Sequence, residues 1–264
     1  MNAPKMRILI VDDEPLARER LASLIRELGV GEVVGEAGNG IEALTAIAAH
    51  APQLVLLDIR MPGMDGLEAA QHMAYYEPPP AVIFTTAFGD YALEAFEASA
   101  VDYLLKPIRK ERLLQGLQRA RVLSRGALDI LKERTAPTRA RTHLSAPVGG
   151  SLRLVPVDEV LYFQADQKYV TVVWTGGELV IEEPLKTLEA EFGERFLRIH
   201  RNALVALSRV EALARDGAGG LAVKLRGTEK RLPVSRRLSG QVRRCLKSMR
   251  RAEEGLPADA YGQD

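Results

Sequence analysis

The chain has 264 residues, 47% of them apolar, a formal net charge of +1 and a single cysteine, Cys245. That length suits two domains; no apolar run is long enough for a membrane span or a signal peptide, and one cysteine excludes an internal disulfide framework, so the expected location is the reducing cytoplasm. The charge is uneven: residues 1–124 carry 12 Lys/Arg against 17 Asp/Glu, residues 125–251 carry 24 against 14, and residues 252–264 carry four acids and no base. An acidic half joined to a basic half points to a polyanion partner for the second half alone.

Arg7-Ile8-Leu9-Ile10-Val11 reads as a strand and ends in Asp12-Asp13-Glu14-Pro15. Pro15 suits a helix start, Leu16, Leu21, Leu24, Ile25 and Leu28 recur at helical spacing, and Gly29 stops the helix. Glu32 to Ala37 is a second strand, Gly38-Asn39-Gly40 a turn, and Ile41 to Ala49 a helix. The unbroken apolar run Leu54-Val55-Leu56-Leu57, closed by Asp58, predicts a third strand buried on both faces. A tight loop, Pro62-Gly63-Met64-Asp65-Gly66, leads to a helix from Leu67 to Tyr75. After the stiff Pro78-Pro79-Pro80 come a strand over 81–86, a helix over 91–99, a strand over 101–105 that ends at Lys106-Pro107, and a long basic helix from Arg109 to about Leu131. The alternation predicts an α/β doubly wound domain with a five-stranded parallel sheet.

Right-handed crossovers would bring the strand ends to one rim, where Asp12, Asp13, Asp58, Thr86 and Lys106 meet. Like charges that close are unfavourable unless a cation sits among them, and hard carboxylate oxygens suit Mg²⁺. A carboxylate can also attack a phosphoryl group and form an aspartyl phosphate. Asp58 therefore reads as a phosphoacceptor beside a metal site. Lys106 is placed to hold one phosphoryl oxygen and Thr86 to donate its hydroxyl to another. A lone acid after an apolar run is ordinarily a turn or cap residue; two such runs with a helical pattern between them argue against that here.

Residues 7–123 resemble the receiver domain of bacterial two-component response regulators. The likeness is carried by Val11-Asp12-Asp13-Glu14-Pro15, Leu57-Asp58 with Met61-Pro62-Gly63-Met64-Asp65-Gly66, Thr86-Ala87, and Tyr103-Leu104-Leu105-Lys106-Pro107. The resemblance implies that Asp58 takes phosphate from a sensor histidine kinase or a small phosphodonor. It further implies that Asp13, Asp58 and the backbone carbonyl of Arg60 bind Mg²⁺, with Asp12 helping through water, and that Thr86 and Tyr103 form a switch pair. A homodimer would form through helix 91–99, strand 101–105 and helix 109–123.

Residues 132–150 hold two prolines, a glycine pair and several arginines, and read as a flexible basic linker. Domain boundaries are thus expected at 1–124, 125–150 for the helix end and linker, 151–250, and an acidic, disordered tail over 251–264. In the second half, Leu152 to Val157 alternates, Val160 to Ala165 is strand-like, and Lys168 to Glu182 is a hairpin turning at Thr175-Gly176-Gly177-Glu178. Leu185 to Phe192 is a short helix, Phe196 to Asn202 follows it, and 210–214 with 221–225 flank a Gly-rich loop as a second hairpin. Arg231 to Arg237 leads into a closing helix to about Met249. Residues 200–251 carry 14 Lys/Arg against three acids, the footprint expected for contact with a phosphate backbone. No zinc-ligand spacing, phosphate loop or helix-turn-helix pattern is visible. His200 has no acid or nucleophile at an interpretable spacing, so it reads as structural and the chain as no enzyme.

This mostly β half is similar to the LytTR DNA-binding domain, the output module of AlgR/LytR-like regulators. Val157-Asp158-Glu159-Val160-Leu161-Tyr162-Phe163, Lys168-Tyr169-Val170, Leu185-Lys186-Thr187-Leu188-Glu189, Phe196 to Asn202 and Leu232-Pro233-Val234-Ser235-Arg236-Arg237 carry the match. Asn202 departs from the family's usual Ser, and Ala206-Leu207 from a common Asn. The resemblance implies that loops enter successive major grooves of double-stranded promoter DNA. Gln167, Lys168, Arg201 and Asn202 would touch bases or phosphates, Arg236 would read a base, and Arg237 would hold backbone. A receiver joined to a protein-interaction module is the rival reading, and salt dependence separates the two.

Overall fold

The computed structural model describes residues 5–87, 101–122, 140–215 and 219–253. The chain divides into two compact units, Met1–Leu154 and Val155–Asp264.

The first unit is built on strands β1 (Met6–Val11), β2 (Gly31–Ala37), β3 (Leu54–Asp58), β4 (Ala81–Thr86) and β5 (Asp102–Leu105), with helices α1 (Pro15–Leu28), α2 (Gly40–His50), α3 (Gly66–Met73) and α4 (Lys110–Val122). The sheet order is β2-β1-β3-β4-β5, every pair parallel. Side chains that alternate along a strand serve two cores. Ile8, Ile10, Leu54 and Leu56 pack with Leu21, Ile25, Leu113 and Leu117 of α1 and α4. Leu9, Val11, Val55 and Leu57 pack with Ala43, Leu44, Ile47, Ala69 and Met73 of α2 and α3. The doubly wound five-stranded sheet is the predicted one. The expected helix over 91–99 lies outside the described residues, as does the continuation of α4 beyond Val122.

The first unit also contains what the sequence suggests is linker. Strands β6 (His143–Val148) and β7 (Ser151–Pro156) pair as a two-stranded sheet. Gly149 and Gly150 between them have φ of 59° and 82°. Two successive positive φ values suit the tight turns that join antiparallel strands, and glycine adopts them without steric cost. The expectation of a flexible linker through residue 150 is therefore corrected over residues 143–150: the glycine pair closes a hairpin. Leu144 and Ala146 are buried, and Leu152 and Leu154 pack against the α2/α3 core.

The second unit has β8 (Val160–Asp166), β9 (Tyr169–Trp174), β10 (Gly177–Ile181), α5 (Leu185–Phe192), β11 (Phe196–His200) and β12 (Ala203–Ala206). After these come β13 (Val210–Arg215), β14 (Leu221–Leu225), β15 (Arg231–Pro233) and α6 (Ser239–Glu253). An antiparallel sheet runs β10-β9-β8-β12-β11, and a second runs β13-β14-β15. Phe192 of α5 packs on Phe163 and Phe196, with ring centroids 6.4 and 6.1 Å away. Leu161, Tyr162, Leu197, Ile199 and Val205 bury themselves with Val223, Leu225 and Leu232 of the second sheet, Val234 just past β15, and Val242 of α6. Strand β12 is not foreseen by the sequence reading, because its four residues are all buried and show no alternation. The chain turns at Arg201-Asn202 between β11 and β12. The acidic tail lies outside the described residues.

Gly66 is where the fold tolerates least. Its N–H donates to the Ile59 carbonyl at 2.9 Å, and a Cβ there would lie 2.0 Å from the Asp58 carbonyl oxygen. Gly66→Ala is expected to destabilise the first unit by about 1–3 kcal/mol, read as a lower midpoint in urea, with no change in the second unit's own transition.

Candidate functional site

Parallel strands β1 and β3 end flush, since Val11 pairs with Leu57, and so the next residues, Asp12 and Asp58, sit side by side. Both are buried, while Asp13 is exposed. One carboxylate oxygen from each of Asp12, Asp13 and Asp58 lies within 4.8 Å of the others. Lys106, just past β5, is set by its N–H bond to the Thr86 carbonyl at 2.7 Å. Its Nζ reaches Asp12 at 2.8 Å and Asp58 at 3.0 Å. Burial pushes the Asp58 carboxyl above its usual value, Lys106 pulls it back, and Asp12 and Asp13 add to the rise. Burial works to lower the Lys106 ammonium, but its bonds to Asp12 and Asp58 win and hold it above its ordinary value. Three carboxylates against one ammonium leave an excess of negative charge on hard oxygens, a donor set that fits Mg²⁺.

Of the other residues foreseen for this site, Thr86 is buried at the end of β4, Tyr103 on β5 is half-buried against the α2/α3 core, and Arg60 is exposed two residues past Asp58. A pair that sequence reading missed anchors this corner. Arg112 of α4 donates to both oxygens of Asp102 at 2.7 and 2.6 Å and to the Tyr103 carbonyl at 2.9 Å. Nothing in the motif order marks Asp102, because its partner is ten residues away on a helix. Burial raises the Asp102 carboxyl, but Arg112, the Tyr103 N–H and Arg119 outweigh it and hold it below the usual carboxylate range.

In the second unit the foreseen DNA contacts gather at one end of the five-stranded sheet. Gln167 and Lys168 form the exposed β8–β9 turn, where Gln167 has φ 53° and the Lys168 ammonium lies 4.8 Å from the Tyr169 ring centroid. Arg201 and Asn202 turn β11 into β12, and the Asn202 carbonyl accepts from the Ala165 N–H at 2.8 Å, beside the first turn. Ser235 donates its N–H to the Ile199 carbonyl at 2.9 Å, which brings the exposed Arg236 and Arg237 alongside. Two further residues belong to this end. Lys230 bonds the Gln164 side chain at 2.8 Å and lies 5.4 Å from the Tyr162 ring centroid. Arg198, held by Glu189 at 2.8 Å, donates to the His200 carbonyl at 2.7 Å and to the Arg201 carbonyl, and so shapes the Arg201-Asn202 turn. The His200 ring meets the Asn202 side chain within the same turn. Among the described residues no helix is long and apolar enough to cross a membrane.

Comparison with known proteins agrees with both halves. The Response regulator receiver domain family matches residues 8–118, and the LytTr DNA-binding domain family matches residues 150–247. A positive alginate biosynthesis regulatory protein of Pseudomonas aeruginosa is 50% identical over 245 residues, which cover 91% of this chain and 99% of that protein. A transcriptional regulatory protein BtsR of Salmonella typhi is 36% identical over 91% of this chain and 99% of its own length. The sensory transduction protein LytT of Bacillus anthracis is 30% identical over 92% of this chain and 99% of its length.

The Arg112–Asp102 pair gives the first unit a defined acid response. Arg112→Ala is expected to cost about 1.5–3 kcal/mol. Because the folded Asp102 pKa is depressed, the pair's contribution is present above the unfolded carboxylate value and is lost as pH falls through the folded one. Thermal melts from neutral pH downward should show the wild type and variant converging only in strong acid.

Proposed function

The chain belongs to the response regulators that join a receiver domain to a LytTr DNA-binding domain, and from that membership we propose that Asp58 is its phosphoacceptor. The protein is a phosphorylation-regulated, DNA-binding regulator of transcription. The observation that carries the residue assignment is the cluster at the strand ends: Asp58 flanked by Asp12 and Asp13 and bound by Lys106.

The phosphodonor is a phosphohistidine on a sensor kinase, or a small acyl phosphate. An Asp58 carboxylate oxygen attacks phosphorus, a P–O bond forms, and the P–N or P–O bond of the donor breaks as its imidazole or carboxylate leaves. Asp13, Asp58 and the Arg60 carbonyl would hold Mg²⁺, with Asp12 helping through water, and the ion would supply charge neutralisation for the phosphoryl oxygens. Lys106 then binds one phosphoryl oxygen and the Thr86 hydroxyl donates to another. Movement of Thr86 draws the half-buried Tyr103 inward. A groove of about 460 Å³ beside the cluster, lined by Leu16, Ala17, Arg20, Leu24 and Lys106, supports a kinase surface there, with Leu16 77% exposed.

The switched face comprises strand 101–105, helix 109–123 and helix 91–99, the last outside the described residues. It makes a homodimer, whose two DNA-binding units engage two half-sites and gain apparent affinity through effective concentration. Arg236 reads a base; Gln167, Arg201 and Asn202 complete the contacts; Lys168 and Arg237 bind phosphate. The setting is the cytoplasm, away from any membrane.

Two results test this. Asp58→Ala is expected to take up no phosphate from acetyl phosphate and to lose the phosphodonor-dependent gain in DNA affinity. In selection of genomic fragments on the full chain, the wild type should recover one repeated short motif. Arg236→Ala should relax one position of that motif by about 1–3 kcal/mol, whereas Lys168→Ala should weaken all sequences alike and reduce the salt slope by about 1. Diffuse recovery by the wild type, or a salt-independent affinity, would overturn the assignment.

A further inference from the structure

Outside the two sites, the most developed group of buried polar side chains lies on α3 beneath the hairpin β6–β7. Glu68 and His72, one helical turn apart, are 8% and 1% exposed. The Glu68 carboxylate accepts from the Thr142 N–H at 2.8 Å, the His143 N–H at 2.8 Å and the Thr142 hydroxyl at 3.1 Å. His72 Nδ1 meets the Ser145 hydroxyl at 2.7 Å. Burial raises the Glu68 carboxyl, but its bonds from His72, the His143 N–H and Thr142 outweigh burial and hold it below its ordinary value. Around these bonds Leu144, Ser145 and Ala146 are buried, and Leu152 and Leu154 cover the receiver core. A carboxylate that accepts two consecutive backbone N–H groups recognises a bend of the backbone, here Thr142-His143 at the entry to β6, not one particular side chain.

We propose that the Glu68–His72 face of α3 is a docking surface for the chain's own segment 142–146, and that release of this segment on phosphorylation frees the DNA-binding unit to reach its half-sites. The proposal rests on Asp58 being the phosphoacceptor. The dock adjoins the phosphorylation site through a short run of bonds. Asp58 is followed by Ile59, whose N–H donates to the Thr85 carbonyl at 3.1 Å and whose carbonyl accepts from the Gly66 N–H at 2.9 Å. Asp65 then caps α3 by accepting from the Glu68 N–H at 2.9 Å. A displacement of the 59–66 loop by a phosphoryl group on Asp58 therefore moves the first turn of α3, which carries the dock.

The direction follows from the tether. The last residue packed on the receiver core is Leu154, and Val155 begins the second unit. While the hairpin is docked, its residues up to Leu154 add nothing to the reach of the DNA-binding unit. Released, it becomes a covalent tether, and each residue adds at most about 3.3–3.6 Å. Docking thus restrains the unphosphorylated protein. By linkage, whatever phosphorylation costs the dock, the dock costs phosphorylation.

The test uses the full chain with beryllofluoride and Mg²⁺ as the phosphoryl mimic. Thr142→Val and Ser145→Ala alter the strap alone, and Glu68→Gln alters the dock. In all three, amide hydrogen exchange at 142–146 should rise at least about ten-fold, a loss of about 1.4 kcal/mol of docking, with the β1 and β3 amides unchanged. DNA affinity without beryllofluoride should rise toward the wild-type value with it, and the gain on adding it should shrink. Unchanged exchange at 142–146 in the strap variants overturns the dock. Faster exchange with unaltered DNA affinity and response overturns the release. Failure of the underlying reading looks different: the wild type itself then shows no beryllofluoride-dependent change in DNA affinity, and the proposal falls with it.

Discussion

Everything in the receiver half depends on keeping Asp12 and Asp58 together under cover. Carboxylates within 4.8 Å repel by on the order of 3–4 kcal/mol at an effective dielectric near 20. The sheet imposes this arrangement through register. Val11 opposite Leu57 fixes the two acids next to one another, and Leu105 opposite Thr86 delivers Lys106 to the same rim. One ammonium cannot balance three carboxylates. The residual negative charge is a donor set that fits a divalent cation. A site held together by incomplete neutralisation is one that a charged modification can rearrange.

How far the sequence discloses this follows from how local the signals are. The strand runs, their acid ends and the helices between them are local patterns, and the five-stranded parallel sheet follows from their order. The acidic cluster is legible for the same reason, since its three members sit at the ends of two strand runs, Asp12 and Asp13 after β1 and Asp58 closing β3. Asp102 with Arg112 is not legible: the pair exists only because α4 lies back on β5. Strand β12 escapes because Ala203 to Ala206 is buried on both sides and lacks the period of two that identifies a half-exposed strand. The Gly149-Gly150 pair misleads most. Glycine pairs signal flexible linkers and tight turns equally well, and the flanking Leu144, Ala146, Leu152 and Leu154 decide for a turn only once their packing is known.

The DNA-binding half makes the complementary point. Its basic residues are readable as charge, but their roles are set by backbone bonds between segments distant in sequence. The Ala165–Asn202 and Ser235–Ile199 bonds bring three exposed turns to one sheet end. Arg198 is as basic as Arg201, yet its guanidinium is committed to Glu189 and to the carbonyls of the turn that presents Arg201. A count of positive charge would give both the same weight. The geometry leaves Arg201 exposed on the turn and makes Arg198 the turn's support.

The hairpin β6–β7 blurs the boundary between the halves. The LytTr family match begins at residue 150, inside the hairpin, while the packing of Leu152 and Leu154 assigns it to the receiver. Glu68 offers hydrogen bonds to the backbone of residues 142 and 143, and such bonds reform as readily with water as they break. The apolar contacts of Leu144, Ala146, Leu152 and Leu154 are what must be re-exposed or re-buried when the segment leaves. With burial contributing about 25 cal/mol per Å² of apolar surface, a few such side chains amount to several kcal/mol. That is more than the 1–3 kcal/mol of a typical allosteric coupling. Release that lengthens the tether therefore requires reburial of these leucines elsewhere, and the polar bonds of Glu68 and His72 are the part of the dock that gives way first.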